Sequence, residues 1–375
     1  METPAGEHPK AWELGIRIGM GRPAALNAIT DVPGVRVGHR TIVRGDDGAP
    51  DAVRTGVTAI FPHGAEPWSS WVYGGTHVLN GYGEMIGINQ LDEWGVLMSP
   101  IVLTSSQQIG KAYDATVRWI AGRDRDAAGE VMPVVSECDD SWLSDVLSFP
   151  LSNADVAAAL DDAASGPVAE GCVGAGTGMA CFDFKGGIGT ASRTLPDEAG
   201  GSTVGVLVLT NYGDRPHLLI DGVHVGLEIE DLLPTHHQDG SCVVVVATDA
   251  PLLPHQLRRV AKRAGMGLAA TGSYASNGSG EQMLAFSTAN RLSSDGAIAE
   301  VRAVADGPIE EPWVLSHVFE ATVDATQEAV VNALIAARTT VGKDGWTLHA
   351  MPVERMLDVM REAGRLTGWS QQTEI

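Results

Sequence analysis

The sequence has 375 residues, of which 44% are hydrophobic, so it can bury a large core and disorder is excluded as its default state. Its formal net charge of −22, from 47 acidic and 25 basic residues, argues against a nucleic-acid partner, because phosphates are recognised mainly by Lys and Arg. No linker-like stretch divides the chain, which favours a single domain over residues 1–375.

At the start of the chain, the segment METPAGEHPKAWELGIR contains no apolar signal core. No stretch reaches the ~18 apolar residues that a membrane span requires, so we expect no membrane association. The cysteines, which are Cys138, Cys172, Cys181 and Cys242, form no CxxC pair and are too sparse for a disulfide scaffold. Together these features predict reduced thiols and a cytoplasmic location.

Short apolar runs along the chain predict strands. Val57–Phe61 is the first of these runs and Met283–Phe286 is the last. Between them, Val204–Leu209 and Cys242–Ala247 are continuous aliphatic or β-branched runs, which are typical of strands buried on both faces.

Apolar residues at helical spacing predict helices between and after these strands. Residues 109–120 follow Ser105 and Ser106, either of which can cap a helix N terminus. Residues 251–265 have prolines near the start and Gly265 near the end, as helices often do. The remaining predicted helices are residues 324–338 and 353–365. Buried strands with amphipathic helices between them indicate a layered α/β architecture.

The glycine-rich segment GCVGAGTGMACFDFKGGIGTASR, residues 171–193, has some likeness to nucleotide-binding loops. Gly174, Gly176 and Gly178 form GxGxG rather than GxGxxG, however, and no Walker lysine follows. We therefore expect tight backbone packing near a site rather than dinucleotide binding.

The 11 histidines show no metal-binding pattern. They form neither an HExxH motif nor a cluster with carboxylates at metal-ligand spacing. His236 and His237 are adjacent, so in a strand their side chains would point in opposite directions. We therefore predict no metal site.

The segment HHQDGSCVVVVATDAP, residues 236–251, places a turn directly before a buried strand. By composition, Asp239-Gly240-Ser241 fits an ordinary turn that leads into a strand. The same layout also fits a self-cleavage site. Gly240 tolerates backbone conformations closed to other residues, so a strained peptide bond there could be attacked by the Ser241 hydroxyl.

That attack would be an N-to-O acyl shift, which gives an ester that water opens. The new chain would begin at Ser241, with its α-amine and its hydroxyl on the same residue. A free α-amine has a pKa of about 7.7–8.0 and can act as a base near neutral pH. The product would be the amine-activated nucleophile of an N-terminal hydrolase.

Two other segments could supply supporting groups. Ser279 and Glu281 alternate just before the predicted strand at Met283–Phe286, so both side chains would point to one face and could orient the serine and its amine. Asn211 follows a buried strand, where its amide could donate to an oxyanion. A polar surface loop and a turn asparagine also explain these residues by composition.

Several long motifs occur in order along nearly the whole chain. Besides the DGS and NGSGE segments, they are LNAITDVPGVRVGH, VRTGVTAIFPHG, GGTHVLNGYGEMIGINQLDEWG and GPVAEGCVGAGTGM. This set resembles the DmpA family of β-peptidyl aminopeptidases and L-aminopeptidase/D-esterases, peptidase family S58, whose members are hydrolases of the N-terminal-nucleophile type. The resemblance implies a four-layer α/β/β/α sandwich, as in ornithine acetyltransferases. It also implies autoproteolysis into an α subunit, residues 1–240, and a β subunit, residues 241–375.

The resemblance further implies roles for single residues. Ser241 matches the family's nucleophile, and Ser279 and Glu281 match its supporting serine and glutamate. Asn211 in TNYG matches the oxyanion asparagine, and Glu137 in VVSECDDSWLSD matches the acid that receives the substrate's free amino group. No cofactor is implied. The αβ units are expected to form a homo-oligomer, a tetramer or larger.

The implied activity is hydrolysis of short peptides, amides or esters whose N-terminal residue has a free α- or β-amine, through an acyl-enzyme on Ser241. Two alternatives stay open. An acyltransferase of the ornithine-acetyltransferase type would depend on an amine acceptor. An uncleaved, non-catalytic binding or scaffold homologue would keep its full-length chain.

Overall fold

The computed structural model describes residues 8–64, 66–235, 240–295, 300–307 and 313–366. Its strands are β1 (Arg36–Arg44), β2 (Val53–Phe61), β3 (Ser70–Gly81), β4 (Met85–Ile86), β5 (Val96–Leu97), β6 (Ile101–Ser105), β7 (Val134–Cys138), β8 (Ala180–Cys181), β9 (Phe184–Lys185), β10 (Ile188–Thr194), β11 (Thr203–Asn211), β12 (Ser241–Thr248), β13 (Gly280–Ser293), β14 (Thr340–Val341) and β15 (Thr347–Leu348). Its helices are α1 (Ile88–Trp94), α2 (Ile109–Ala121), α3 (Asn153–Asp161), α4 (Val225–Glu228), α5 (Pro254–Ala270), α6 (Val314–Ala336) and α7 (Val353–Glu362). His236, His237 and Asp239, which entered the sequence predictions, lie outside the described residues.

The larger sheet has the strand order β10-β11-β12-β13-β3-β5. Near its centre, β12 is antiparallel to β11 and parallel to β13. The aliphatic runs Val204–Leu209 and Cys242–Ala247 fall within β11 and β12, and every residue of β12 is buried. The prediction of strands buried on both faces is confirmed for this pair.

The second sheet has the strand order β1-β2-β6-β7-β4, in which β6 and β7 are parallel. Helices α2 and α3 cover its outer face, and α5 and α6 cover the outer face of the larger sheet. The inner faces of the two sheets meet in a shared apolar core. The layers therefore run helix, sheet, sheet, helix, and the predicted four-layer α/β/β/α sandwich is confirmed.

Alternation along β12 shows which side chains face each layer. Val243 and Val245 belong to the core between the sheets, whereas Val244 and Val246 belong to the core beneath α5 and α6. Successive side chains on a strand point to opposite faces. Ser241, the first residue of β12, therefore faces the second sheet.

The predicted helices are present, with differences at their ends. Helix α2 closely matches its prediction, and α7 stops slightly before the predicted end. Gly265 does not terminate α5, which continues to Ala270. A Cβ atom on the nearby Gly267 would lie 2.6 Å from Thr326 Cβ of α6, so glycine there permits close helix packing inside the helix.

Helix α6 begins at Val314, well before the predicted start at residue 324. Most of its side chains are buried, and a helix without a broad solvent-exposed face shows little of the apolar periodicity that marks helix boundaries. No helix within the described ranges is both long and apolar enough to cross a membrane.

Candidate active site

Three segments singled out in the sequence meet at one edge of the larger sheet. The register of β11 and β12 places Asn211 opposite Ser241, and that of β12 and β13 places Ser241 opposite Gly280. Ser279 and Glu281 flank Gly280 and lie at the same edge. Strand pairing therefore brings together residues that are far apart along the chain.

Ser241 is 5% exposed, and its hydroxyl makes no hydrogen bond with the described residues. The Cys138 thiol of β7 approaches this hydroxyl without hydrogen-bond geometry. Burial, the largest cause, raises the pKa of that thiol well above its usual value. A buried hydroxyl without a partner is uncommon in folded proteins, which makes Ser241 a candidate for reaction.

Gly240 packs tightly in front of Ser241. A Cβ atom on Gly240 would lie 2.1 Å from the carbonyl oxygen of Asn211 and 2.5 Å from Tyr212 Cα. The φ angle of Gly240 is not positive, so the expectation that glycine supplies a special backbone conformation here is wrong. Glycine is required at this position because there is no space for a Cβ atom. The Gly240 carbonyl accepts a hydrogen bond from the Gly280 N–H at 3.2 Å.

Ser279 and Glu281 form a buried hydrogen-bonded pair at the start of β13. The Ser279 hydroxyl donates to one carboxylate oxygen of Glu281, and the other oxygen has no partner among the described residues. Burial is the largest cause that raises the pKa of Glu281, and the bond from Ser279 opposes it. The register places Glu281 beside Cys242, so the pair flanks the start of β12 from the face opposite the Ser241 hydroxyl.

Asn211 is the last residue of β11, and its side-chain amide is held at both ends. Its Oδ1 accepts a hydrogen bond from the Ala180 N–H, and its Nδ2 donates to the Asp139 carbonyl, each at 2.9 Å. An amide nitrogen carries two hydrogens, so one N–H remains for a further acceptor. The amide can therefore serve as an oxyanion donor in a fixed orientation.

The glycine-rich segment packs closely beside this amide. A Cβ atom on Gly178 would lie 2.2 Å from the Arg54 carbonyl oxygen. The buried Lys185 ammonium donates to the Gly176 carbonyl at 3.0 Å. These contacts hold the backbone that leads into Ala180, and the tight packing predicted for this segment is confirmed.

Glu137 comes from β7 of the second sheet and is 6% exposed. One of its carboxylate oxygens accepts a hydrogen bond from the Glu84 backbone N–H at 2.8 Å, and the other accepts one from the Ser106 hydroxyl. Burial is the largest cause that raises the pKa of Glu137, and these two donors oppose it. A Cβ atom on Gly83 would lie 3.4 Å from one carboxylate oxygen of Glu137 and 3.4 Å from Gly280 Cα, so the carboxylate lies near the start of β13.

Ser105 occupies the N-cap position of the 3-10 turn that leads into α2, but neither Ser105 nor Ser106 caps it through its side chain. The Ser105 side chain makes no cap bond, and the Ser106 hydroxyl is used by Glu137. Strands β6 and β7 pair in parallel with Thr104 opposite Glu137, which brings both serines beside the acidic segment. The sequence shows two serines at a strand end, but it does not predict the contact of Ser106 with Glu137 because this strand pairing is not local.

The backbone N–H groups of Gly280 and Glu84 are also donors in this arrangement. The sequence does not predict them, because a backbone N–H has no signal in the sequence. Among the described residues, no group of His, Cys, Asp and Glu side chains is placed to hold a metal ion. At one edge of the larger sheet, the arrangement offers the Ser241 hydroxyl, which has no partner among the described residues, together with amide and backbone donors. The Glu137 carboxylate of the second sheet lies near Gly280 at this edge.

Residues 27–348 match the sequence profile of peptidase family S58. The chain is also 41% identical, over 384 aligned residues, to the β-peptidyl aminopeptidase BapA of Sphingosinicella microcystinivorans. That alignment covers 96% of this chain and 94% of the relative.

Solved structures show the same similarity in three dimensions. A β-aminopeptidase of a Burkholderia species superposes with a TM-score of 0.86 and 43% identity, over 95% of this chain and 99% of that one. The L-aminopeptidase D-Ala-esterase/amidase of Ochrobactrum anthropi, a variant of the Ntn hydrolase fold, superposes with a TM-score of 0.88 and 43% identity, over 96% of this chain and 100% of that one. By its sequence and by its fold, this chain belongs to peptidase family S58.

Proposed function

We propose that this peptidase is a serine aminopeptidase that cleaves its own chain between Gly240 and Ser241. The observation that carries the proposal is the Ser241 hydroxyl, which is buried, has no hydrogen-bond partner among the described residues and stands at the first position of a strand. The carbonyl that it would attack already accepts a hydrogen bond. Processing would divide the chain into residues 1–240 and 241–375.

In self-cleavage, the Ser241 hydroxyl oxygen attacks the carbonyl carbon of Gly240. The Gly280 N–H, 3.2 Å from the carbonyl oxygen, donates to that oxygen as negative charge develops. The C–N bond breaks, the nitrogen takes the hydroxyl proton, and an ester to Ser241 Oγ forms. Water then opens the ester, which leaves a carboxyl group on Gly240 and a free amine on Ser241.

In turnover, the freed amine accepts the proton of the Ser241 hydroxyl as its oxygen attacks the carbonyl carbon of the substrate. The remaining N–H of Asn211 donates to the oxyanion. The Ser279–Glu281 pair flanks the start of β12 and holds the amine in place. The leaving group departs from the tetrahedral intermediate, and water clears the acyl-enzyme.

Glu137 gives the site its preference for substrates with a free amine. Its carboxylate lies near Gly280, which pairs with Ser241, and a carboxylate binds an ammonium group through charge-assisted hydrogen bonds. The proposed substrates are short peptides, amides or esters whose N-terminal α- or β-amino acid has a free amine. The activities named for the relatives, β-peptidyl aminopeptidase and L-aminopeptidase D-Ala-esterase/amidase, support this class.

We further propose a cytoplasmic homo-oligomer of αβ units, a tetramer or larger. The cysteines are free, which suits a reducing compartment. An apolar surface formed by Leu79, Met266 and Tyr274, which are 47%, 59% and 59% exposed, supports association between copies. Light scattering on the purified protein tests the assembly, and the mass of a single αβ unit would contradict it.

The intact mass of the purified protein tests the central proposal. Fragments that match residues 1–240 and 241–375 are expected, and Ser241→Ala should remain full length. Ser148→Ala is the control, because this exposed serine donates only to the Asp145 carbonyl. A single full-length mass of the unmodified protein after long incubation would overturn self-processing. Turnover that requires an added amine acceptor would indicate acyl transfer instead of hydrolysis.

A further inference from the structure

Ser106 uses its hydroxyl differently from most serines that precede a helix. It leaves the start of α2 without a side-chain cap and donates to the Glu137 carboxylate. The second oxygen of that carboxylate accepts the Glu84 N–H at 2.8 Å. Each oxygen of Glu137 therefore has its own donor, and the carboxylate cannot rotate without breaking one of these bonds.

The Glu137 carboxylate can accept further hydrogen bonds besides those from these two donors. Each ionised oxygen accepts more than one hydrogen bond, so both oxygens keep the capacity to bind an ammonium group. Burial disfavours the charged form and raises the pKa of Glu137, whereas the bond from Ser106 favours the charged form and lowers that pKa. The Ser106 hydroxyl therefore orients the carboxylate and also favours its ionised state.

We propose that Ser106 is a positioning residue that holds the Glu137 carboxylate in the orientation that binds the substrate's free amine. The inference rests on the amine-binding role proposed for Glu137 and extends the site to a residue that acts through it. The substrate amine keeps its charge throughout the reaction, so this contact stabilises the ground state and the transition state alike. Its loss should appear in KM rather than in kcat.

The test compares Ser106→Ala with Ser106→Thr and with the control Thr104→Val in the processed protein, using the p-nitroanilide of an amino acid with a free amine. Thr104 is a buried residue of β6 whose hydroxyl donates to the Gly56 carbonyl at 3.1 Å. Ser106→Ala is expected to raise KM about tenfold, as for loss of a hydrogen bond to a charged group, with kcat within about twofold of the unmodified enzyme. Ser106→Thr keeps a hydroxyl and should restore KM, and Thr104→Val should leave KM unchanged.

The pH profile separates positioning from a structural defect. Without the Ser106 bond the pKa of Glu137 rises further, so the acidic limb of kcat/KM should move to higher pH in Ser106→Ala and return in Ser106→Thr. The other charged groups that act on Glu137 are Asp139 and Glu84, and both remain in these variants. A KM and an acidic limb that stay at their original values in Ser106→Ala would overturn the proposal.

Glu137→Gln distinguishes failure of this inference from failure of the proposed amine binding. If Glu137→Gln leaves KM unchanged, the amine-binding role is wrong and the positioning role falls with it. If Glu137→Gln raises KM but Ser106→Ala does not, only the positioning role is wrong. Both roles predict that Ser106→Ala adds little to Glu137→Gln, because the two changes remove one interaction. Should Ser106→Ala fail to fold, Ser106→Cys replaces it as a weaker donor of similar shape, with a smaller rise in KM expected.

Discussion

The two sheets contribute to the candidate active site in different ways. At the larger sheet, Asn211, Ser241 and Gly280 are neighbours in one hydrogen-bonded register, so the backbone itself sets their spacing. At the second sheet, Glu137 is oriented by the Ser106 side chain and by one backbone N–H. The groups proposed to break bonds therefore depend on strand pairing, whereas the group proposed to recognise the substrate depends on a side-chain contact that can be removed singly.

We therefore expect substitutions at the two sheets to affect different properties of the enzyme. Substitutions at the larger sheet should reduce self-cleavage or kcat. Substitutions at the second sheet should change KM and the discrimination between substrates, while self-cleavage continues.

The largest effect is expected at the larger sheet, from Gly240→Ala. The added Cβ would lie 2.1 Å from the Asn211 carbonyl oxygen, so the start of β12 must shift and lose its alignment with the Gly280 donor on the neighbouring strand. Self-cleavage should slow by at least about a hundredfold, the typical effect of losing one oxyanion donor, and aminopeptidase activity should fall with it. Mass spectrometry over time measures the cleavage. Gly110→Ala is the control, since a Cβ there meets nothing within 4 Å, and unchanged cleavage in Gly240→Ala would contradict the need for this packing.

The next largest effect is expected from Asn211→Ala, which removes the proposed side-chain donor to the oxyanion. We expect kcat to fall by about 10²–10³ with KM for a free-amine substrate near its original value. Steady-state kinetics on the processed enzyme provide the measurement. Asn290→Ala is a matched control, because this buried amide also bonds at both ends, to the backbone of Arg302. Equal losses of kcat in the two variants would point to general destabilisation.

At the second sheet, Glu137→Gln removes the charge and keeps the shape. We expect kcat/KM for free-amine substrates to fall about a hundredfold, mainly through KM, because an ammonium group would lose its charged partner. Acetylated substrates should be unaffected and self-cleavage should persist. Glu93→Gln is the control, since Glu93 is an exposed residue of α1. If the unmodified enzyme turned over free-amine and acetylated substrates at equal rates, the proposed division of roles between the two sheets would be wrong.

The smallest effect is expected from Asp140→Asn, just beyond β7. Burial raises the pKa of Asp140 to about 7, above its ordinary value of 3.8. Between these pH values the folded state binds more protons than the unfolded state, so this group lowers stability progressively as pH rises, and its full cost is present above about pH 7. Asp140→Asn should therefore raise Tm by a few degrees at about pH 8 and hardly at about pH 4. Thermal unfolding at both values measures this, and an equal shift at both would exclude ionisation of Asp140 as the cause.

Local patterns in the sequence predicted the parts of the fold that depend on neighbouring residues. The aliphatic run in β12 was recognised as a doubly buried strand because its buried residues are consecutive. Helix α2 was placed closely because it has one apolar face. The sequence does not mark the start of α6 because most of that helix is buried. It does not show that α5 continues past Gly265, because a glycine inside a helix looks the same in sequence as one that ends it.

By itself, the sequence determined the family and the groups available for chemistry, because long motifs in order and side chains such as Ser241, Asn211 and Glu137 are visible without coordinates. Only the tertiary structure decided which of these groups meet. Pairing of β11 with β12 and of β6 with β7 joins residues distant in sequence, and it reassigned Ser106 from a helix cap to a partner of Glu137. It also showed that Gly240 is required by lack of space, because contacts across strands follow from packing that no local pattern encodes.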